Sequence, residues 1–246
     1  MPRYQILVEY VGTNYRGWQI QKKGHTIQGI LQDKVSKLLK EKITIVGSGR
    51  TDSGVHANEQ SAHFDCNNKI LDKKKFIKST NHFLKSSEIA ILDLKKKNLN
   101  FHARFSAKER FYRYKIFNRT SPSVLNHSRG WHIMKKLDIK EMKKAAKMLV
   151  GTKDFSTFRA SSCNAKSPVR TMKTVKLKLS DNEIIIDFKS QSFLQQQVRS
   201  MVGCLKYLGE KKWDVKKFKK VLKSKKRKLC APPAPAKGLY LKKVMY

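Results

Sequence analysis

The chain has 246 residues, enough for one large or two small domains with a sizeable core. Lysine and arginine number 55 against 18 acidic residues, which gives a formal net charge of +37. This excess makes a polyanion the first partner to consider, with nucleic acid ahead of an acidic membrane. Because many surface lysines are simply solvated, the charge indicates a class of partner without locating its binding site.

Cysteine spacing and hydropathy exclude several classes of protein. The four cysteines, Cys66, Cys163, Cys204 and Cys230, lie far apart and include no Cys-x-x-Cys pair. We therefore expect free thiols in a reducing compartment, and neither a zinc site nor a disulfide framework. The chain has no run of about 18 apolar residues. We expect no signal peptide and no membrane span, and hence a cytoplasmic protein.

The N-terminal part of the sequence predicts strand, helix, strand, helix and strand in turn. Strand-forming residues predict a strand over 4–10, and apolar residues at helical spacing predict a helix over 26–42. A short strand is predicted over 60–64, a second helix over 76–84 and a further strand over 88–94. This order is typical of an α+β domain with helices on one face of a sheet.

A second series of elements starts near residue 104. Residues 111–117 alternate, which predicts a strand with Tyr112 on one face and Arg113 on the other. Asp138 is predicted to cap a helix, with Glu141 as its capping-box partner.

The remaining elements complete a second α+β series. A hairpin is predicted over 175–188, followed by a helix over 194–208 in which Arg199 lies beside the apolar stripe. The basic run 223–228 fits either a solvated surface or an RNA contact. A stiff proline connector then precedes a last strand over 238–245.

The glycine-rich stretch 47–57 is the strongest candidate for chemistry. It follows the β-branched run 43–46, and its three glycines supply backbone freedom, so a strand is predicted to end in a tight loop. Asp52 is its only carboxylate, with Arg50 two residues before it and His56 four residues after it. The pattern predicts a nucleophile with a cationic neighbour.

Residue spacing excludes two familiar phosphate-binding loops for this stretch. The dinucleotide fingerprint would need glycine where Asp52 stands, and no Gly-Lys-Ser/Thr ending completes a nucleoside-triphosphate loop. An ordinary Gly/Ser/Asp turn fits the composition equally well. A second loop, over 12–19, combines aromatic residues, glycines and an arginine. This mix suits stacking on bases, but it equally fits a surface loop anchored by one buried Trp.

Similarity over whole motifs favours the interpretation of the stretch 47–57 as an active-site loop. Residues 49–57, with the sequence GRTDSGVHA, resemble the active-site loop of the tRNA pseudouridine synthase A family, with Ser53 in place of the usual Ala. The loop at 10–19 also resembles the family. Further blocks follow in the family's order: FHARFSA at 101–107 with Arg110, Tyr112 and Tyr114 after it, GTKDFSTF at 151–158, FL and VRSMVG within 193–203, and APAKGL at 234–239. The chain departs from the family at Val11 for Asp, Lys153 for His and Gln197 for Met.

The resemblance implies isomerisation of uridine to pseudouridine at positions 38, 39 and/or 40 in the anticodon stem-loop of tRNA. The base is detached from the sugar at N1, rotated and rejoined through C5. Breaking a glycosidic bond without water calls for a carboxylate that attacks or stabilises the charged intermediate, and Asp52 matches that nucleophile. A second carboxylate that activates water, as in a hydrolase, would be counterproductive.

The same resemblance implies roles for three further residues. Tyr112 lies against the target uracil, and Arg199 is the partner that keeps Asp52 ionised and aimed. Arg50 contacts phosphate or fills the space left by an extruded base. From composition alone, Tyr112 also fits a core tyrosine and Arg199 a helix-surface arginine. We assign His56 to loop structure.

The implied fold is the pseudouridine synthase fold. It is an α+β architecture of two pseudo-symmetric, ferredoxin-like halves that share a central, mainly antiparallel sheet, with the active-site cleft between them. We expect the halves to be residues 1–104 and 105–246. The resemblance also implies a homodimer that binds tRNA, no cofactor and no metal.

Two alternative functions belong to other classes. A passive RNA-binding or RNA-folding protein would keep the scaffold and the charge, and its activity would survive loss of Asp52. A phosphate-binding nucleotide hydrolase would need the Lys-Ser/Thr ending and an acidic metal ligand, and the sequence shows neither.

Overall fold

The structure, a computed structural model, describes residues 1–246. Its strands and helices, in chain order, are β1 (Arg3–Tyr10), α1 (Ile27–Leu39), β2 (Val46–Gly47), β3 (His56–Asp65), α2 (Lys73–Leu84), β4 (Ile89–Lys97), β5 (Glu109–Asn118), β6 (Trp131–Ile133), α3 (Ile139–Met148), β7 (Gly151–Asp154), β8 (Val169–Ser180), β9 (Glu183–Ser190), α4 (Gln197–Gly209), α5 (Val215–Ser224) and β10 (Leu239–Met245). None of these helices combines the length and the apolar character needed to cross a membrane.

The chain divides into two compact units. The first unit is Met1–Lys108 together with Tyr240–Tyr246, and the second unit is Glu109–Leu239. We expected the division after residue 104 and the whole C-terminal part in the second half. The last strand instead belongs to the first unit, because residues of β10 pair with β3.

The first unit contains a mainly antiparallel sheet. Its strand order is β4, β1, β3 and β10, with the short β2 also paired to β3. β1 is antiparallel to both β3 and β4, whereas β10 runs parallel to β3. From β1 to β4 the elements follow the β-α-β-β-α-β order of ferredoxin-like units.

Helix α1 shows why this part of the sequence folds as predicted. Its residues Ile27, Leu31 and Val35 recur at helical spacing and are fully buried. Each such side chain contributes roughly 1.5–3 kcal/mol by leaving water. Thr26 caps the helix, since its Oγ1 accepts a hydrogen bond of 3.3 Å from the Gly29 amide.

The strand expected over 43–46 is wrong for most of its length, because only β2 is a strand. Side chains of α1 replace a neighbouring strand as hydrogen-bond partners here. The Ile43 amide donates to Ser36 Oγ at 3.0 Å, and the Ile45 amide donates to Gln32 Oε1 at 3.0 Å. The buried backbone is therefore satisfied without a ladder.

The strands of the second unit also pair mainly in antiparallel fashion. The order is β5, β9, β8 and β7 with every neighbour antiparallel, and β6 pairs in parallel with β5. The predicted alternation of β5 is confirmed: Tyr112 and Tyr114 are buried, while Arg113 on the opposite face pairs with Asp187 of β9 at 2.8 Å. Helices α3, α4 and α5 pack on one another.

Helix α3 begins at the predicted cap, but only half of the capping box forms. Asp138 Oδ1 accepts from the Glu141 amide at 3.1 Å. The Asp138 amide donates to the Gly209 carbonyl of α4 at 2.8 Å, and the Glu141 carboxylate pairs with Lys144 at 2.6 Å. The Asp138 amide therefore bonds to the Gly209 carbonyl and not to the Glu141 side chain, as a capping box would require.

The predicted hairpin and the predicted long helix are both present. Strand β9 pairs along its length with residues 172–180 of β8, and Asp181 at their turn adopts a positive φ of 48°. Helix α4 buries the predicted apolar stripe, and Val198 and Leu208 at its ends are no more than 4% exposed. Both units are thus α+β structures with mainly antiparallel sheets, as expected.

Candidate active site

Asp52 lies in the loop between β2 and β3, and side chains of the first unit clamp that loop at its start. Ser48 Oγ donates to Gln60 Oε1 at 2.7 Å, and Gln60 Nε2 donates to the Gly49 carbonyl at 2.9 Å. Ser48 and Gln60 are completely buried. These neutral hydrogen bonds in a water-free place fix the path of the chain towards Asp52.

The residue immediately before Asp52 is held from two sides. Thr51 Oγ1 shares a hydrogen bond of 2.8 Å with the Tyr10 hydroxyl of β1, and the Thr51 carbonyl accepts from the Trp18 amide at 3.1 Å. Thr51 is 6% exposed. The backbone that carries the carboxylate is therefore fixed to the sheet and to the loop over 12–19.

A tight turn follows Asp52. Its carbonyl accepts from the Val55 amide at 3.1 Å, and Gly54 in this turn has a φ of +78°. Ser53 Oγ donates to the Tyr15 carbonyl at 3.0 Å. The turn leaves the Asp52 side chain half-buried, while Arg50 on the same loop is exposed.

One glycine allows the close approach that this arrangement needs. At Gly17, where φ is +84°, an added Cβ would lie 2.5 Å from the Thr51 carbonyl oxygen and 3.1 Å from the Asp52 carbonyl carbon. Both atoms belong to the backbone, which cannot move aside as the end of a side chain can. Any larger residue at this position must shift the Asp52 loop.

The aromatic residues of the loop over 12–19 are structural. Trp18 is 3% exposed and packs against the Tyr10 ring with centroids 6.0 Å apart, and Tyr15 is 8% exposed with its hydroxyl donating to the Ser87 carbonyl. The interpretation of these two rings as a base-stacking surface is wrong. The alternative, a loop anchored by a buried Trp, is confirmed.

His56 also has a structural role, as expected. It is 1% exposed, its Nδ1 accepts from the Gly12 amide at 3.1 Å, and its ring stacks on Tyr240 with centroids 4.7 Å apart. The histidine thus ties the end of the loop to β10.

In the second unit, Tyr112 lies on the buried face of β5. Its ring is 8% exposed and meets Phe193 edge to face, with centroids 5.0 Å apart and planes at 78°. Phe193 belongs to the turn that leads from β9 into α4. The position of the Tyr112 ring is therefore set by the sheet and by this turn.

Arg199 is held by the segment 231–238, which we call the proline segment. Arg199 Nε donates to the Ala234 carbonyl at 2.7 Å, and the Ala234 amide donates to the Arg199 carbonyl at 2.9 Å. A Cβ added to Gly203, one turn further along α4, would lie 2.0 Å from the Pro232 carbonyl oxygen. The half-buried guanidinium is thus fixed at its Nε.

Tyr114 joins β5 to the same segment. Its hydroxyl donates to the Pro235 carbonyl at 2.7 Å, and Gly238 leaves room for its ring. Burial raises the pKa of Tyr114, and the positive charge of Arg199 opposes this rise only in part. The tyrosine therefore stays protonated and keeps its donor role.

The structure places the four sequence-predicted residues in two groups. Asp52 and Arg50 lie on one loop of the first unit, whereas Tyr112 and Arg199 belong to the second unit. Within the second unit, the strand of Tyr112 and the helix of Arg199 are connected because Tyr114 and Arg199 both bond to the proline segment. No group of three or more His, Cys, Asp or Glu side chains in residues 1–246 is arranged to hold a metal ion.

Several positioning residues were missed by sequence reasoning. Gln60 was placed on a predicted strand without a role, and Tyr10 was read only as a strand former. Their contacts join residues 12 and 41 positions apart, which no local pattern reveals. Gly17 lies in a block that resembles the family, which marks it as a position of interest. Its close approach to Thr51 is visible only in the folded structure.

The comparisons with known proteins identify the family. The profile of a family described as tRNA pseudouridine synthase matches residues 6–106 and 145–246. A protein of Pelagibacter ubique (strain HTCC1062) named tRNA pseudouridine synthase A is 65% identical over 100% of both chains. One with the same name from Paramagnetospirillum magneticum (strain ATCC 700264 / AMB-1) is 44% identical over 100% of this chain and 96% of its own.

A solved structure, titled a crystal structure of a Cbf5-Nop10-Gar1 complex, aligns at 9% identity with a TM-score of 0.37, over 82% of this chain and 54% of that one. At that score the alignment adds nothing to the assignment. The family profile and the two full-length relatives are sufficient, and the chain belongs to the tRNA pseudouridine synthase family.

Proposed function

We propose that this protein isomerises uridine to pseudouridine in tRNA. The observation that carries the proposal is the single carboxylate of the loop over 48–55, Asp52, held within the family's motif by buried hydrogen bonds before it and by the Ser53 hydrogen bond after it. The 65% identical relative named tRNA pseudouridine synthase A supports the same activity.

The chemistry suits a fixed carboxylate. Asp52 attacks the target nucleotide, or stabilises its charged intermediate, while the bond between N1 and C1′ breaks. The freed uracil rotates and rejoins the sugar through C5, and the C5 proton is then lost. Atoms are conserved overall, because the reaction moves one bond and needs neither water nor a redox partner. A well-anchored loop favours this route, since misplacement of the carboxylate by about 1 Å can cost about 100-fold in rate.

Three other residues are proposed to complete the site. Tyr112 stacks on the target uracil, and its buried, edge-supported ring is suited to that task. Arg199 keeps Asp52 ionised and aimed, and the bond from its Nε to the Ala234 carbonyl fixes the position of the guanidinium. Arg50, exposed two residues before Asp52, contacts phosphate or takes the place of the extruded base.

The proposed substrate position is uridine 38, 39 and/or 40 in the anticodon stem-loop. These nucleotides lie at the lower end of a stem, so the base must leave its stack before its glycosidic bond is accessible. Extrusion costs a few kcal/mol, which contacts to the phosphate backbone can offset.

The basic surface supports a polyanionic substrate. Helix α5 and the basic run that overlaps its end have many exposed lysines, whereas the apolar face of the helix is buried. The exposed lysines of this region are Lys216, Lys217, Lys219, Lys220, Lys223, Lys225, Lys226 and Lys228. We propose this surface as a tRNA contact and expect tRNA affinity to fall steeply with added salt, because each neutralised phosphate releases counterions. Affinity that does not change between low and high salt would contradict this contact.

We propose in addition that the enzyme acts as a homodimer in the cytoplasm, as its family resemblance implies. The four cysteines are free thiols, which agrees with a reducing compartment. Sedimentation with and without tRNA tests the dimer, and a monomer in both states would contradict it.

The activity itself is tested with unmodified tRNA transcripts. One transcript carries uridine at 38, 39 and 40, and a matched transcript carries cytidine at all three positions. We expect pseudouridine in the first transcript only, mapped to those positions. Binding of both transcripts with product in neither would support a passive RNA-binding protein, and product outside the anticodon arm would contradict the proposed position.

A further inference from the structure

Two cysteines of the second unit lie next to each other. Cys204, in the middle of α4, and Cys230, at the end of a short 3-10 turn, have their Sγ atoms 3.4 Å apart. They are 26 residues apart in the chain, and sequence spacing gave no reason to pair them. We propose that Cys204 and Cys230 are a redox modification site, which hydroperoxides convert reversibly into a disulfide.

The surroundings of the two thiols divide the chemical roles between them. Cys204 is fully buried, whereas Cys230 is partly exposed to solvent. The guanidinium of Arg227 lies nearby, since its Nη1 donates to Ser200 Oγ at 2.9 Å, and Cys230 Sγ approaches the Ser200 carbonyl at 3.9 Å. Cys230 is thus the accessible thiol in a cationic environment, which is the setting of reactive cysteines.

The titration of the thiols agrees with this geometry. The hydrogen bond from Cys204 lowers the pKa of Cys230, and the charge of Arg227 lowers it further against the opposing effect of burial. The same hydrogen bond, followed by burial, raises the pKa of Cys204. Cys66 offers a contrast, because burial raises the pKa of its thiol to about 11. Cys230 is therefore the thiolate that meets the oxidant first.

The reaction balances with hydrogen peroxide as the oxidant, and an organic hydroperoxide releases an alcohol in place of the first water. The Cys230 thiolate attacks one peroxide oxygen, so that the S–O bond of a sulfenic acid forms, the O–O bond breaks and the leaving hydroxide takes up a proton to become water. Cys204 Sγ then attacks that sulfur, so that the S–S bond forms, the S–O bond breaks and a second water leaves. Two thiols lose two electrons, and the peroxide gains them.

Only a small movement is needed. A disulfide bond is about 2.05 Å long, so the sulfur atoms must approach each other by roughly 1.4 Å from their distance of 3.4 Å. Because the two sulfur atoms are already in van der Waals contact, a sulfenic acid that forms on Cys230 meets the Cys204 sulfur before any other reaction partner. Further oxidation of Cys230 is thereby kept slower than disulfide formation.

The disulfide would reinforce a row of contacts that ends at Arg199. Along α4, Ser200 contacts Arg227, Cys204 contacts Cys230, and Arg199 contacts Ala234. A covalent link at Cys230, the residue directly before the proline segment, holds that segment against the helix. The proposal concerns the second unit alone and does not depend on the tRNA activity.

The first test counts and maps thiols. Fully reduced protein is treated with stoichiometric hydrogen peroxide, and free thiols are titrated before and after reductant. We expect the number to fall from four to two, a loss of the mass of two hydrogens, a 204–230 peptide link and full recovery with a thiol reductant. Four remaining thiols, a link that involves Cys66 or Cys163, or only higher oxidation of Cys230 would overturn the proposal.

Matched variants locate the chemistry. Cys230→Ser should keep all three remaining thiols after peroxide, Cys204→Ser should lose only the Cys230 thiol, which is oxidised without forming a disulfide, and Cys163→Ser should still lose two. If either of the first two variants is unstable, limited alkylation of the native protein gives the same information, because Cys230 should be labelled before the other three cysteines. Preferential labelling of Cys163 would contradict the assignment of Cys230 as the reactive thiol.

The second test measures the link's effect on the fold. We expect the Tm of the oxidised protein to rise by several degrees, because the link closes a long loop in the unfolded chain. Amide exchange in the proline segment, including the Ala234 amide that bonds to Arg199, should slow. A lower Tm or faster exchange in the disulfide form would contradict the reinforcing role.

Discussion

The Asp52 loop and the Arg199 region solve the same structural problem in opposite ways. In the first unit Asp52 lies on a loop, and regular elements such as β1 and β3 supply the side chains that fix the loop. In the second unit Arg199 lies on a helix, and the irregular proline segment supplies the backbone groups that fix its side chain. In each region a glycine, Gly17 or Gly203, allows two backbones to approach closely.

The difference between the regions is one of chemistry as well as of geometry. Neutral side chains such as Ser48, Gln60 and Thr51 hold the backbone of the Asp52 loop through hydrogen bonds. The Arg199 region depends on a guanidinium, whose charge also acts on Tyr114. We therefore expect substitutions to act through position in the first region and through charge in the second.

The largest of these effects is expected at Arg199. Arg199→Ala removes both the charge and the bond to Ala234, and should lower turnover by roughly 100- to 1,000-fold, about 3–4 kcal/mol of transition-state stabilisation. Arg199→Lys keeps the charge but loses the Nε donor, and should lose only about 10-fold. Pseudouridine formation under single-turnover conditions measures both, and equal losses in the two variants would show that charge is not what Arg199 contributes.

A position effect is expected at Gly17. Gly17→Ala places a Cβ 2.5 Å from the Thr51 carbonyl at a φ of +84°, which should cost about 3 kcal/mol of unfolding free energy and about 10-fold in turnover. Gly24→Ala is the matched control, because Gly24 has a φ of +88° but meets only the flexible Arg16 side chain. It should cost about 1 kcal/mol without changing turnover. Denaturant titration and kinetics together separate the two, and equal behaviour of both variants would contradict a positioning role for Gly17.

A smaller effect is expected from acid, and it should act on the first unit. His63 of β3 is 4% exposed, and its pKa is lowered from 6.5 to about 4 by burial, with further contributions from Arg3 and His102. The folded state therefore favours the neutral ring, so its contribution to stability is complete above pH 6.5 and is lost as the pH falls towards 4. Between pH 7 and pH 5 the loss should be about 2 kcal/mol.

Denaturant titration across that range measures the loss. His63→Gln should flatten the pH dependence, whereas replacement of the exposed His127 by Gln should leave it unchanged. A native slope retained in His63→Gln would contradict the assignment of the acid effect to this histidine.

Sequence alone predicted the parts of this fold that depend on local periodicity. The alternation of β5, the apolar stripes of α1 and α4 and the cap at Asp138 were correct because each is decided within a few residues. The run 43–46 was misjudged, since side chains of α1 satisfy a backbone whose composition favours a strand.

The sequence predicted the motif of the site but not the contacts that hold it in place. The resemblance identified Asp52, Tyr112 and Arg199 by position, and their catalytic roles stay predictions until they are tested. The positioning contacts of Gln60, the burial of Tyr15 and the Cys204–Cys230 pair depend on residues brought together from distant parts of the chain. Such contacts leave no local period or spacing to read.

The most direct measurement compares pseudouridine formation by the native protein and by Asp52→Ala on one unmodified tRNA transcript, with tRNA binding followed on the same samples. Ser53→Ala is the matched control, because it changes the neighbouring residue to the family's usual one and removes only the hydrogen bond to Tyr15. We predict equal tRNA binding by all three proteins, product from the native protein and from Ser53→Ala, and none from Asp52→Ala. Product formed by Asp52→Ala would contradict the central role of this carboxylate.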